Sequence, residues 1–441
     1  MPPPPTPQNE LSLVPNISKT TLDSGVTGPG TETSGILREN GKEEAKPQLL
    51  PSPKNDASPN IAWSLPTPPL KQRMASGFKS LFESAKKLAT GDNGDANSGP
   101  AAPHSLFPKT APAVDGEDCD HDCDSCTVKY PKSFSIDTED VLYGHVKGWS
   151  THLLVATGKT DWVRDVADEK GSVMQAVEAS DKPDNGRLML SASNIPTPHQ
   201  TNDYSEPTTV LLLPAFRVVE NVTPATVPTL LSEFVAKSPT NETPLADQPP
   251  IKLPGSVDVV NPDPSLPPPL RTLTSRPCPH SVLVLLCSQR TRDARCGQSA
   301  PLLRKELERH LRPLGLYRDL DDERPSGVGI YFISHVGGHK YSANMMIYRR
   351  PDPWGLDGVE RKTVGDEGIQ KLLESGKSKA ASAVVNGEGA DVGAGQCIWL
   401  ARISPQHCEN IVKYTILQGK VVKPETQLRG GFDRQKGLMS W

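Results

Sequence analysis

Ser281-Val-Leu-Val-Leu-Leu-Cys287 continues as Ser-Gln-Arg-Thr-Arg-Asp-Ala-Arg-Cys296, and these sixteen residues decide how the rest is read. A short, unbroken run of valine and leucine reads as a strand buried on both faces, as in sheets covered by helices. It ends in one cysteine, and a loop of eight residues leads to the next. Pro301–Leu311 then carries an amphipathic helical pattern with proline in its first turn. Further strands read at Gly329-Ile-Tyr-Phe-Ile-Ser334, Asn344-Met-Met-Ile-Tyr348 and Cys397-Ile-Trp-Leu-Ala-Arg-Ile403. The last leads through Ser404-Pro405 into a helix ending near Gln418. Strands alternating with helices predict an α/β unit over 273–424.

A second α/β unit precedes it over 116–238. Thr151-His-Leu-Leu-Val-Ala-Thr157 reads as a strand, Gly158-Lys-Thr-Asp-Trp162 as the turn into a helix through Val177, and Arg187–Ser191 and Thr209–Pro214 as strands. Thr226–Lys237 has a helical apolar period with Pro228 in its first turn. Proline-rich residues 239–272 predict an extended linker. The Gly/Ala/Ser-rich stretch 375–395 predicts a disordered insertion, 425–441 a tail, and 1–115 a disordered leader. In the leader, Phe78, Leu81, Phe82, Ala85 and Leu88 share one face of a short helix over 74–89.

With 45 prolines, 35 glycines and only 5% aromatic residues, the 441-residue chain cannot be packed throughout. Its 48 basic and 52 acidic residues give no basic stripe, so no nucleic-acid partner is expected. The longest apolar runs are strand-sized, so no transmembrane segment is expected. Eight cysteines are too sparse for a disulfide scaffold and predict a reducing compartment.

The chemistry concentrates on Cys287, Cys296, His335 and His339. The strand ending at Ser334 delivers His335-Val-Gly-Gly-His339, and a Gly-Gly turn lets both imidazoles face one point. Two thiolates and two imidazoles complete a four-ligand set for zinc or for a [2Fe–2S] cluster. The alternative is free thiols and turn histidines without metal. Gaps of eight and thirty-eight residues are wider than those of zinc fingers and suit a dinuclear group better. Arg290, Arg292 and Arg295 supply charge against bound thiolates.

Leu286-Cys-Ser-Gln-Arg-Thr-Arg-Asp-Ala-Arg-Cys-Gly297 and Ser334-His-Val-Gly-Gly-His-Lys-Tyr-Ser-Ala-Asn-Met-Met-Ile-Tyr348 resemble the sucrase/ferredoxin-like family of fungi and plants. His152–Trp162 and Val210–Pro214 resemble its first domain, so the likeness covers about 116–424. It implies two thioredoxin-like domains, with Cys287, Cys296, His335 and His339 holding a [2Fe–2S] cluster. Ile398-Trp-Leu-Ala-Arg402 departs mildly from a Trp-Tyr-Gly-Arg-like strand in many relatives. Nothing supplies the paired carboxylates of a glycosidase, so sugar cleavage is not expected. The expected function is non-enzymatic electron transfer in cellular redox homeostasis, with donor and acceptor unspecified and a potential that varies with pH. A redox or iron sensor and a zinc-stabilised interaction protein are the alternatives.

Asp118-Cys-Asp-His-Asp-Cys-Asp-Ser-Cys126 reads either as a second metal site through Cys119, Cys123 and Cys126 or as a flexible acidic segment. Cys278, Cys397, Cys408, His145, His152 and His407 read as structural, and Gly158-Lys-Thr lacks the upstream glycine of a phosphate loop. Met439-Ser440-Trp441 resembles the tripeptide by which the cytosolic iron–sulfur assembly targeting complex takes up clients. It favours the cytoplasm, with mitochondria as the alternative.

Overall fold

The computed structural model describes residues 100–245, 252–259, 262, 267–386 and 391–441. The expected helix 74–89 and the rest of the leader before residue 100 lie outside the described residues.

In the first half, β1 (Thr151–Ala156) and β2 (Leu188–Ser193) pair in parallel. Strand β3 (Thr208–Leu213) runs antiparallel to β1, and β4 (Arg217–Val222) antiparallel to β3. Two further strands, β5 (Ser256–Asp258) and β6 (Thr272–Pro277), extend this edge, with β6 on β4. The second half repeats the plan. Strand β7 (Val282–Cys287) is followed by the short β8 (Tyr317–Arg318) and by β9 (Val328–Ile333), which pairs in parallel with both. Strand β10 (Met345–Arg349) is antiparallel to β7, and β11 (Gln396–Leu400) antiparallel to β10. Strands β12 (Leu428–Asp433) and β13 (Leu438–Met439) extend that edge. Both β1 and β7 are central and buried along their whole length, as their continuous apolar runs require.

The halves are not separated. They join through β2 and β9, antiparallel at Ser193↔Ile333, so one sheet runs β13-β12-β11-β10-β7-β9-β2-β1-β3-β4-β6-β5. Side chains thicken this narrow seam. Asn194, 4% exposed, accepts from Phe332 N at 2.7 Å through Oδ1, and Ser334 Oγ accepts from Ala192 N at 3.1 Å. No helix among the described residues is long and apolar enough to cross a membrane.

Several boundaries differ from the sequence-based expectation. Residues 100–115, assigned to the leader, include short helices Pro103–Leu106 and Pro112–Asp115, and Leu106 and Phe107 enter the second half's core. Residues 116–150 lie along the second half rather than opening the first: Cys123 N donates to Gln406 O, Asp137 N to Lys340 O and Tyr130 Oη to Ile403 O. This strap combines polar contacts with scattered apolar anchors, among them Leu142 and Trp149, and so has no apolar period. The expected linker contributes β5, an edge strand where nearby prolines are tolerated. Residues 375–386 continue the helix Arg361–Asn386, which breaks at Gly365; alanines in that stretch favour a helix more than its serines oppose one. After it, Asp391 pairs with Arg350 at 2.5 Å, and Ala394 is fully buried. The expected tail supplies β12, whose Gly430 and Gly431 hide its strand character; a Cβ on Gly431 would lie 1.9 Å from Cys397 O. The helix after β7 begins at Ala294 and leaves Pro301 in its interior. The helix expected from Gly158 through Val177 reduces to Val166–Asp168 and Val173–Ala179.

Asn194→Ala leaves a buried Phe332 N–H without its side-chain acceptor. It should lower stability by about 1–3 kcal/mol in urea unfolding, with the slope unchanged. An unaltered midpoint would contradict the seam.

Candidate metal centre

Cys287 closes β7, and its parallel partner across the ladder is Ile333, the last residue of β9. Two residues further, His335 turns back so that its Nδ1 lies 3.7 Å from Cys287 Sγ. Cys296 sits in the first turn of the helix Ala294–Leu311, not in the loop as expected, because Asp293 caps the helix by accepting from Arg295 N. The donor atoms of Cys287, Cys296 and His335 all lie within 4.8 Å of one another. His339 stands one place further out, with Nδ1 3.3 Å from His335 Nε2 and Nε2 3.9 Å from Asp293 Oδ2. Both cysteines are buried, whereas the His339 side chain is 43% exposed, so the site opens to solvent on its imidazole side.

The turn between the histidines depends on its glycines. Gly337 has φ +90° and Gly338 φ +68°, values that favour glycine, and a Cβ on Gly338 would lie 2.7 Å from the Arg429 guanidinium. Arg429 donates to Gly337 O at 3.1 Å and to Asn344 Oδ1 at 2.8 Å, while Asn344 Nδ2 donates to Gly338 O. Burial pulls the Arg429 guanidinium down to about 10, partly offset by the neighbouring Tyr341. This is the buried cation of the site. Of the three arginines expected to supply charge against the thiolates, Arg290, Arg292 and Arg295, the last is paired with Asp293 at 2.8 Å and Arg292 donates to Arg164 O.

The two thiols share their proton unequally. The Cys287 thiol donates to Cys296, and further hydrogen bonds from His335 and Ser342 outweigh burial and bring Cys296 down to about 5. Cys287 moves up because it holds that hydrogen bond and is buried beside a thiolate. The position of Cys296 at a helix N-terminus acts in the same direction. A thiolate, a thiol and imidazoles make a donor set that fits either zinc or an iron–sulfur group.

The first half braces this loop. Ser288 Oγ donates to Thr160 O at 2.8 Å, Gln289 Nε2 to Val163 O, and Thr291 Oγ1 to Asp161 Oδ2 at 2.8 Å. Gln289 Oε1 then accepts from His335 N at 2.8 Å. Gly158–Trp162 therefore supports the ligand loop, and Lys159 Nζ is occupied by Tyr204 Oη. Asp293, Gln289, Ser342 and Arg429 had no assigned part in the sequence-based site. Asp293 was legible as a helix cap, but Arg429 lay in the supposed tail.

Cys119, Cys123 and Cys126 do not gather into one site. Cys119 packs with Tyr414 and Val422, and the Cys126 thiol donates to Val128 O at 3.5 Å. Cys123 instead meets His310 and Glu409, two residues that sequence spacing did not connect to it. His152 is a satisfied core histidine, bonded to Tyr348 Oη and Ser191 Oγ.

In the metal-free chain, one thiolate per molecule should persist at neutral pH. Its ultraviolet absorbance should titrate away at a midpoint well below the ordinary thiol range and be absent at neutral pH in Cys296→Ser. His335→Ala should move that midpoint upward. A signal appearing only above about pH 8, where an ordinary thiol titrates, would contradict the shared-proton pair.

Comparison with known proteins places the chain in a family. A family model described as sucrase/ferredoxin-like matches residues 142–430. Actin patches distal protein 1 of Saccharomyces cerevisiae is 29% identical over 269 residues, covering 55% of this chain and 75% of that protein. Altered inheritance of mitochondria protein 32 is 27% identical over 144 residues in Clavispora lusitaniae, a third of each chain. In Kluyveromyces lactis it is 33% identical over 135 residues, covering 31% of this chain and 28% of the relative. No solved structure gives a significant match. With two thirds of its length under one family model and the paired Cys/His motifs at adjacent strand ends, the chain belongs to the sucrase/ferredoxin-like family.

Proposed function

We propose that Cys287, Cys296, His335 and His339 hold a [2Fe–2S] cluster and that the protein carries single electrons in cellular redox homeostasis. The carrying observation is the convergence of two buried sulfurs and His335 at the ends of two parallel strands, with His339 beside them. The repeated strand plan supports reading each half as a thioredoxin-like unit: a parallel pair followed by an antiparallel hairpin. Ligands at the carboxyl ends of parallel strands are the usual arrangement in open α/β sheets.

A bound cluster would supply reversible one-electron chemistry. The protein's own part is to set its surroundings. Two neutral imidazoles in place of thiolates raise the net charge; mixed Cys/His ligation spans about −150 to +300 mV, against about −400 mV with cysteines alone. Buried Arg429 adds positive charge on the cysteine side, in the same direction. The buried sulfurs are screened from water, while His339 gives an exposed edge for a partner to approach. Asp293 Oδ2, 3.9 Å from His339 Nε2, places a negative charge beside the outer imidazole.

Uptake by an iron–sulfur assembly targeting complex through Met439-Ser440-Trp441 belongs to the same reading and favours the cytoplasm. In the folded chain Ser440 is buried and Trp441 lies 4.3 Å from Trp149, so a partner must first peel this end away.

Anaerobically prepared protein should contain two irons and two sulfides per chain and be coloured. Cys287→Ala and His335→Ala should lose most of both while keeping the native far-ultraviolet circular dichroism. A colourless protein with one zinc in this site would instead establish a zinc-stabilised interaction domain.

A further inference from the structure

We propose a second metal site, for a zinc-like divalent cation, formed by Cys123, His310 and Glu409. The three come from separate parts of the chain: the strap over 116–150, the last turn of the helix Ala294–Leu311, and the helical turn Cys408–Asn410. Their donor atoms all lie within 4.8 Å of one another. Zinc takes this mixture of sulfur, imidazole nitrogen and carboxylate oxygen, whereas harder cations such as magnesium and calcium select oxygen.

A second observation comes from His310. Its Nε2 is shielded from solvent and has no hydrogen-bond partner, although it faces a polar cluster. Glu306 Oε2, on a residue only 2% exposed, lies 3.9 Å from that nitrogen, too far for a hydrogen bond. A buried imidazole nitrogen left without a partner is costly unless something binds there.

The surrounding charges hold the ligands in place. Arg309 donates to Cys123 Sγ at 3.3 Å and to Glu306 at 2.8 Å, so a guanidinium lies against the sulfur. Glu409 is ionised: burial opposes the charge, but hydrogen bonds from Cys123 and Lys413 bring its carboxyl down to about 2. Lys413 takes one carboxylate oxygen at 2.6 Å. Glu306, held by Arg309, and Cys126, whose thiol burial and Glu306 raise, border the three donors.

The fold gives such a clip a purpose. Residues 116–150 form no strand or helix between Gly116 and Ser150 and run over the second half on backbone hydrogen bonds and a few scattered apolar anchors such as Tyr130, Leu142 and Tyr143. A cation at Cys123 would tie this strap to two helical elements of the second half, as structural zinc does for segments with little core of their own. Cys296 and His310 lie on one helix, fourteen residues apart, or about 21 Å at 1.5 Å per residue. The two centres can therefore fill independently.

The test uses the full chain carrying Cys287→Ser and Cys296→Ser, titrated with cobalt(II) as a coloured zinc substitute. One equivalent should bind with a thiolate-to-cobalt charge-transfer band. Adding Cys123→Ser should abolish the band, and adding His310→Ala should weaken binding at least tenfold. A folded chain that binds no cobalt, or binding that Cys123→Ser leaves unchanged, overturns the proposal. If the double variant does not fold, zinc analysis of the otherwise native chain after dialysis against excess zinc decides. His310→Ala/Glu409→Gln should then lose one zinc per chain with the iron content and visible spectrum unchanged. Equal zinc in both, or none in the parent chain, overturns it. Neither result depends on whether the first centre holds iron.

Discussion

The parallel pairing of β7 with β9 places Cys287 level with Ile333, and this register determines the rest of the candidate centre. Parallel strands end on the same side of a sheet, so the residue that closes one and the residues that follow the other must meet there. A slip of one residue would turn either Cys287 or the lead-in to His335 to the opposite face. The chain guards against such a slip from both sides of β9. Strand β7 contributes a six-residue parallel ladder, and β2 meets β9 at its last residue, beside Ser334 and His335.

The first half therefore supports the centre without contributing a donor to it. Its β1–β2 pair abuts the ligand-bearing pair, and its Gly158–Arg164 segment accepts hydrogen bonds from Ser288, Gln289 and Arg292. Gln289 links this brace to the His335 amide, so the geometry of a ligand in one half rests on backbone in the other. The helix that starts at Asp293 adds electrostatics to position: its first turn holds the sulfur that ionises most readily.

Much of this was legible in the sequence. Continuous apolar runs gave β1, β3, β7 and β9 with small boundary errors, because strands buried on both faces show no competing pattern. The Cys287/Cys296 and His335/His339 pairs could be read because chemistry-bearing residues flank strand ends and Gly-Gly permits a tight return. The unread parts have physical reasons. Strand β12 contains two glycines, Gly431 against the Cys397 carbonyl and Gly430 against the Ser440 side chain, and β5 is an edge strand among prolines. The 116–150 strap has no period because it forms no regular element and its apolar anchors, such as Leu142 and Trp149, are scattered. His310 and Glu409 lie 187 and 286 residues after Cys123 in sequence, so only the fold brings them together. The halves join in one sheet at a single bridged pair and share an apolar cluster that includes Leu154, Leu213, Leu285 and Ile333, and such long-range packing leaves no local sequence signal.

The central claim is that two cysteines and two histidines at the ends of β7 and β9 share one iron–sulfur group. Nitrogen hyperfine couplings in the dithionite-reduced full chain, prepared with nitrogen-15 histidine, test it directly. The account predicts two inequivalent histidine nitrogens, one lost in His335→Cys and the other in His339→Cys. A reduced paramagnetic centre without histidine coupling would show that the iron is held elsewhere and contradict it.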